Sequence, residues 1–179
     1  MEIDCQCTIT CSLRFEVGLI AEKEEPMSNF DPLAIRAALS RIFQQKGGPG
    51  EYTKLFEDFD PFTQDILVEY ARLKAGEIPV IGRFRDNKDW LLITTERVLW
   101  MDKEKEWAVG IPMISSVVPT EFGLERKAEM SALKIKADNG FEGDLHVDTG
   151  LPFSGIWNVL TNIVARNRKP QGERGSGDS

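Results

Sequence analysis

The sequence predicts an α+β protein in which an N-terminal strand and an αα-hairpin precede a seven-stranded antiparallel barrel capped by a C-terminal helix. Three observations predict this architecture. The first 19 residues alternate between apolar and polar, two helical patterns follow, and after Gly76 come short β-branched and aromatic runs separated by polar turns. Period-two alternation is typical of half-buried strands, and a period near 3.6 is typical of amphipathic helices. These patterns divide the chain into segments 1–26, 27–76, 77–169 and 170–179.

The N-terminal segment predicts an unusually long strand. Residues 3–19 carry an apolar side chain, or a cysteine, at every odd position. At about 3.3 Å per residue such a strand would exceed a typical length, so we expect it to bend or break near Ser12. Residues 21–29 predict a linker, and Met27 offers an alternative start that would make the preceding segment a mis-assigned leader. If the strand pairs across a symmetry axis, the protein is a homodimer.

Two helices are predicted next, each beginning with an aspartate followed by a proline. Asp31 and Asp60 can cap the free amides of the first turn, where proline is well tolerated. Glycines at 47, 48 and 50 end the first helix, and a short helical turn is expected at Lys54–Phe59. Such a pair of helices favours an αα-hairpin. The apolar faces are Ile35, Ala38, Leu39, Ile42 and Phe43 in the first helix and Phe62, Ile66, Tyr70 and Leu73 in the second.

The C-terminal half has the sequence pattern of a small β-barrel followed by one helix, with short apolar runs separated by polar turns. The Asn139-Gly140 pair is a strong hairpin signal, because both positions tolerate positive φ. The predicted strands are Pro79–Arg85, Trp90–Thr94, Val98–Met101, Trp107–Ile111, Ser116–Glu121, Ala132–Ala137 and Gly143–Val147. The last helix carries one apolar stripe, formed by Phe153, Ile156, Trp157, Leu160, Ile163 and Val164.

The composition narrows the function classes. The 179 residues are 41% hydrophobic and 28% charged, with a net charge of −7, of which residues 1–26 carry −4. Since no segment is strongly basic, nucleic acid is not an expected partner. No apolar run reaches the roughly 20 residues of a membrane helix, and the N-terminus lacks the features of a secretory signal. Three clustered cysteines are a poor disulfide framework. We therefore expect a cytoplasmic protein.

The stretch Trp90–Val117 carries a family resemblance. One strand ends in a Thr-x-x-Arg turn, the next contains an aromatic residue, and an Ile-Pro segment follows; these positions are Thr94, Arg97, Trp100, Ile111, Pro112 and Ile114. This pattern resembles the bacterial PH-like and GRAM-like family over about residues 77–168, although Ile114 comes one residue early. The resemblance implies the pleckstrin-homology superfold, a bent barrel closed at one end by its C-terminal helix.

Two groups of residues are candidates for binding. The first predicted barrel turn contains Arg83, Arg85 and Lys88, and in phosphoinositide-binding members of the superfold this loop forms a basic cradle. Here Asp86 and Asp89 offset that charge, which disfavours anionic ligands. The residues predicted to contact a protein partner are aromatic residues of neighbouring strands and carboxylates of a later loop. They are Trp90, Trp107, Glu121 and Glu125.

Catalytic and metal sites have weak signals. His146 lies between Asp144 and Asp148 on one strand face, which could bind a cation but is more typical of a polar surface. The cysteines at 5, 7 and 11 lack a fourth zinc ligand and the usual spacing. The glutamates of residues 121–129 could act as a general acid and base, although a solvated loop is the simpler interpretation. The sequence therefore predicts no enzyme, no metal and no cofactor.

The function that these patterns favour is a non-enzymatic protein-interaction module built on a PH-like barrel. One alternative is a bacterial immunity or inhibitor protein that blocks a partner toxin enzyme. The other is a peripheral membrane protein that binds lipid through a GRAM-like domain. Because one fold serves many functions, the resemblance does not choose among the three.

Overall fold

In the computed structural model, which describes residues 31–102, 104–120 and 129–168, three α-helices and eight strands follow one another. In chain order they are α1 (Pro32–Lys46), β1 (Thr53–Leu55), α2 (Pro61–Ala71), β2 (Pro79–Asp86), β3 (Asp89–Thr94), β4 (Arg97–Asp102), β5 (Lys105–Gly110), β6 (Ile114–Pro119), β7 (Ala132–Ala137), β8 (Glu142–His146) and α3 (Leu151–Asn167). Short 3₁₀ helices occupy Phe56–Asp58 and Ile111–Met113. The α+β class is confirmed.

The strands form two antiparallel sheets rather than one closed seven-stranded barrel. The larger sheet has the order β1-β2-β3-β4-β5, and the smaller has the order β6-β7-β8. The predicted closed barrel was therefore wrong, although the seven strands predicted between residues 79 and 147 are present as β2 to β8. The additional strand, β1, pairs with β2 in the region Lys54–Phe59, where the sequence predicted a helical turn. Only the second half of that region is helical, as the 3₁₀ helix Phe56–Asp58.

The centre of the larger sheet, at β3, is buried on both faces. Alternate residues of β3 belong to different cores: Leu91 and Ile93 face the smaller sheet, whereas Trp90 and Leu92 face α2. A strand that is covered on both sides has no polar face, which explains why the apolar sequence of β3 is uninterrupted. Gly82 allows the close approach on the α2 side, where an added Cβ would lie 2.8 Å from the Phe59 ring.

The two N-terminal helices do not form the predicted αα-hairpin. Helix α1 packs mainly against α3, and α2 lies on the outer face of the larger sheet. Gly155 marks the close approach of α1 and α3, since a Cβ there would lie 2.7 Å from the Phe43 ring. The predicted caps are confirmed, because the Asp31 and Asp60 side chains accept hydrogen bonds from the amides of Leu33 and Thr63.

The predicted face of α2 is confirmed only in part, because Tyr70 and Leu73 pack against the core on the outer face of the sheet but Phe62 does not. Leu67 and Ala71 are buried against the sheet, whereas Phe62 is 74% exposed. The helix ends at Ala71, and Arg72 follows in the left-handed conformation with φ 45°. The predicted stripe is rotated because the packing surface is a sheet rather than a second helix.

The C-terminal helix α3 packs over the core that lies between the two sheets. Five residues of its predicted stripe are buried, and Trp157 is partly buried against the same core. Trp100 from β4 lies in this core at 1% exposure, as predicted, and its Nε1 donates to the carbonyl oxygen of Asp144 at 2.9 Å. This bond fixes the smaller sheet against the larger one. None of the helices described is long and apolar enough to cross a membrane.

Several predictions lie outside the described residues. These are the N-terminal strand with its three cysteines, the linker and alternative start at Met27, the loop glutamates Glu121 and Glu125, and the tail from residue 170. The homodimer expectation depends on the first of these and remains a prediction.

Candidate functional site

The predicted basic cradle is largely neutralised by its own neighbours. Arg83 is 7% exposed, and its guanidinium donates to Asp89 at 2.9 Å and to Asp148 at 3.1 Å. Burial lowers the pKa of Arg83, but these two carboxylates raise it by more, so its net pKa lies above the ordinary value. Arg83 is thus an ion-paired cation within the fold, and its two carboxylates reduce the charge that it offers to an anionic ligand.

The other two basic residues are exposed, but each also contacts an acidic or aromatic side chain. Arg85 lies over the Tyr52 ring, 5.6 Å from its centroid, and 3.9 Å from Asp89. Lys88 forms an ion pair with Glu104, which raises the pKa of Lys88. All three predicted residues line one groove of about 410 Å³, together with His146. The groove contains acids as well as bases, so it offers little net attraction to an anion.

His146 and its two flanking aspartates do not form a cation site. His146 is exposed, Asp144 pairs with Lys134 at 2.7 Å, and Asp148 accepts the Tyr52 and Thr53 amides at 2.8 and 2.9 Å. Across residues 31–102, 104–120 and 129–168, no group of three or more His, Cys, Asp or Glu residues could hold a metal ion. Asp148 instead connects β1 and β2 of the larger sheet with the segment between β8 and α3.

The Thr94-x-x-Arg97 turn contains a buried ion pair that the sequence analysis missed. The side chain of Glu77 is fully buried and receives Arg97 Nη2 at 2.7 Å and Arg97 Nε at 3.0 Å. The Thr94 hydroxyl and the Lys74 amide also donate to Glu77, at 2.6 and 2.9 Å. Burial raises the pKa of the Glu77 carboxyl, but these hydrogen bonds lower it by more, so its pKa lies below the ordinary value. The motif is therefore structural.

The lowered pKa of Glu77 predicts a pH dependence of stability. A group with a lowered folded-state pKa stabilises the fold above its unfolded pKa, about 4.3 for glutamate, and this contribution is lost as the pH falls through the folded-state value. We expect the difference in free energy of unfolding between wild type and Glu77→Gln to shrink from pH 7 to pH 3, measured by urea denaturation. A difference that is constant over this range would contradict the assignment.

The two tryptophans proposed as partner contacts have different environments. Trp90 is 2% exposed and packs beneath α2, with its ring centroid 5.9 Å from that of Tyr70, so it is not an exposed anchor. Trp107 is partly exposed on β5, stacked on Trp100 at 6.4 Å and covered by the Lys105 ammonium at 3.8 Å. Only Trp107 presents part of its surface, and it does so on the last strand of the larger sheet.

Strand β5 directs half of its backbone groups away from the sheet. It pairs with β4 in the register Val98↔Val109 and Trp100↔Trp107, and the Ile111 amide bonds to the Glu96 carbonyl at 2.7 Å. In an antiparallel ladder, residues that exchange hydrogen bonds alternate with residues whose backbone points the other way. The outward set on β5 is therefore Glu106, Ala108 and Gly110.

All but one of these outward groups have no partner in the described part of the chain. Among residues 31–102, 104–120 and 129–168, no hydrogen bond reaches the amides of Glu106, Ala108 and Gly110 or the carbonyls of Glu106 and Ala108. The Gly110 carbonyl, at the N-cap of the 3₁₀ helix Ile111–Met113, accepts the first bond of that helix. Glu106 and Ala108 are exposed. Unpaired groups of this kind are a template for another strand.

At each of the other sheet edges, at least one backbone group forms a hydrogen bond with a side chain. On β1, Asp148 accepts the Thr53 amide; on β6, Asn167 and Arg168 from the end of α3 donate to the carbonyls of Ile114 and Ser115. The edge of β8 faces β4 and receives the Trp100 indole at Asp144. Strand β5 differs in having no such cover from the described residues.

A groove lies beside β5 on the outer face of the larger sheet, between α2 and strands β3 to β5. It encloses about 390 Å³, and we call it the α2 groove. Its lining consists of Glu69, Tyr70, Arg72, Asn87, Trp90, Met101 and Glu106. The buried Trp90 Nε1 has no hydrogen-bond acceptor in the described structure. The groove combines an aromatic and thioether floor with a charged rim.

Comparison of the chain with protein-family models, curated proteins and solved structures found no match.

Proposed function

We propose that this protein is a non-enzymatic interaction module that binds an extended segment of a partner protein along the free edge of β5. The observation that carries the proposal is the row of five unpaired backbone groups, the amides of Glu106, Ala108 and Gly110 and the carbonyls of Glu106 and Ala108. Main-chain hydrogen bonds supply affinity in this mode of recognition, and alternate side chains of the added strand supply specificity. The partly exposed Trp107 on the same strand gives the added segment an aromatic contact.

The PH-like interpretation of the fold belongs to the same proposal. Four antiparallel strands, β2 to β5, are followed by the three strands β6 to β8 and then by α3. This order supports a pleckstrin-homology superfold with β1, α1 and α2 added. In this view α2 covers one sheet face, while the edge of β5 stays accessible.

The charge distribution supports a protein partner over a lipid headgroup. Arg83 is held by two carboxylates and Lys88 by one, so neither offers a free charge to a phosphate. Lipid recognition by charge-assisted hydrogen bonds requires unpaired donors. The inhibitor hypothesis is a narrower form of the same proposal, in which the bound segment belongs to a toxin enzyme.

The proposal predicts that Ala108→Pro abolishes partner binding without unfolding the protein. The Ala108 amide points away from β4, so proline removes a donor from the free edge and leaves the ladder with β4 intact. Peptides would first be selected from a random twelve-residue library displayed on phage, against the full chain. We expect Ala108→Pro to weaken their binding at least about tenfold, the equivalent of roughly 1.4 kcal/mol, in isothermal titration calorimetry.

The matched control is Ala108→Thr, which changes the side chain but keeps the amide. It should retain binding within a factor of about two, since the edge donors are unchanged. Unchanged circular dichroism and melting temperature would show that both variants fold. Selected peptides that bind Ala108→Pro as tightly as wild type, or a selection that yields no binding peptide, would contradict the proposal.

A further inference from the structure

The α2 groove lies in line with the position that a strand added to β5 would occupy. Met101 on β4 pairs directly with Glu106 on β5, and the β3–β4 register, continued by one residue, places Trp90 opposite Met101. Directly paired residues share a sheet face. Trp90, Met101 and Glu106 therefore form a row across three strands on the outer face, and the next residue in this row would belong to the partner.

The rim of the groove has two carboxylates without ion pairs. Glu69 from α2 and Glu106 from β5 both line it, and neither makes a salt bridge or side-chain hydrogen bond with any residue the structure describes. Arg72 is the single cation among the lining residues, so the acids outnumber the bases. A positively charged occupant is the complement of this rim.

The floor of the groove suits the stem and the head of a basic side chain. The Met101 thioether gives an apolar surface for methylene groups, and the partly exposed Tyr70 ring gives an aromatic face for a cation.

The distances are compatible with one residue. Neighbouring strands lie about 4.8 Å apart, so a partner residue opposite Glu106 sits roughly two strand spacings from Met101. An extended lysine or arginine side chain is shorter than two strand spacings, so its stem lies over Glu106 and its charged head ends beside the Met101 thioether. We propose that the α2 groove binds the side chain of a lysine or arginine in the partner segment that adds to β5; this inference rests on the function proposed above.

The test uses the phage-selected peptides as probes for the full chain. We expect them to share one lysine or arginine at a fixed position between β-branched residues. Replacing that residue by norleucine should weaken binding to wild type about tenfold, and should have less than a twofold effect on the Glu69→Gln/Glu106→Gln variant. The control Asp65→Asn/Asp138→Asn removes the same charge at exposed positions outside the groove, and should retain the tenfold effect.

The outcomes separate this inference from the proposed function. If Ala108→Pro abolishes binding but the peptides share no basic residue, or norleucine acts equally on wild type and on the Gln/Gln variant, the groove assignment is wrong and the β5 edge stands. If the effect of norleucine also disappears in the Asp65→Asn/Asp138→Asn control, the attraction is long-range and the groove assignment is again wrong. If Ala108→Pro leaves binding unchanged, both fail.

Discussion

Replacing Glu77 by alanine is expected to lower the free energy of unfolding by about 3–5 kcal/mol, because it leaves the Arg97 guanidinium largely buried without its counter-ion. The Thr94 hydroxyl and the Lys74 amide lose an acceptor in the same variant. The pair joins the chain before β2 to the start of β4, so its loss affects the centre of the larger sheet. Urea denaturation followed by tryptophan fluorescence measures the change.

Two further variants show whether the buried pair is the cause. Glu77→Ala/Arg97→Ala should be no less stable than Glu77→Ala alone, since no buried charge remains without a partner. Glu142→Ala breaks an exposed pair with Lys136 and should leave stability nearly unchanged. Strictly additive effects of the Glu77 and Arg97 substitutions would show that the two side chains do not act as a pair.

Replacing Arg83 by alanine is expected to lower the free energy of unfolding by about 3 kcal/mol, because Asp148 and Asp89 lose their shared cation. Asp148 keeps its hydrogen bonds from the Tyr52 and Thr53 amides, which places the effect at the lower end of the range for buried pairs. The measurement is again urea denaturation.

Arg85→Ala is the matched control for Arg83, since its side chain is 59% exposed and only loosely paired. It should change stability little. The same two variants test the lipid hypothesis in sedimentation with vesicles of phosphatidylserine and phosphatidylcholine at low salt. Wild type that sediments, together with Arg83→Ala that is fully stable but no longer sediments, would make Arg83 a ligand-binding residue and contradict its structural role.

Local patterns predicted the elements that depend on local forces. The helix starts at Asp31 and Asp60 and the stripe of α3 are confirmed, because capping and amphipathic spacing are encoded within a few residues. The buried face of α2 was predicted only in part: Tyr70 and Leu73 pack against the core, but Leu67 and Ala71 were missed, since the rotation of a helix depends on what it packs against. The unbroken apolar sequence of β3 could have predicted that this strand is covered on both faces.

The candidate site was harder to predict because it depends on long-range placement. Arg83 and Lys88 were correctly grouped around one groove, but the buried partner Asp148 lies 65 residues from Arg83 along the chain. The sequence also could not indicate that Trp90 is buried beneath Tyr70, or that β5 is the edge strand of its sheet. Strand order is a tertiary property, and the free edge follows from it.

Amide hydrogen exchange of the free protein, resolved by residue in NMR spectra, tests the open edge of β5 most directly. The amides of Trp107 and Val109 bond to β4 and should be protected, whereas those of Glu106, Ala108 and Gly110 should exchange at least about a hundredfold faster. Alternating protection along β5 is the predicted result. Equal protection at all five positions would show that the edge is already covered in the free protein, and would contradict the account of a strand that awaits a partner.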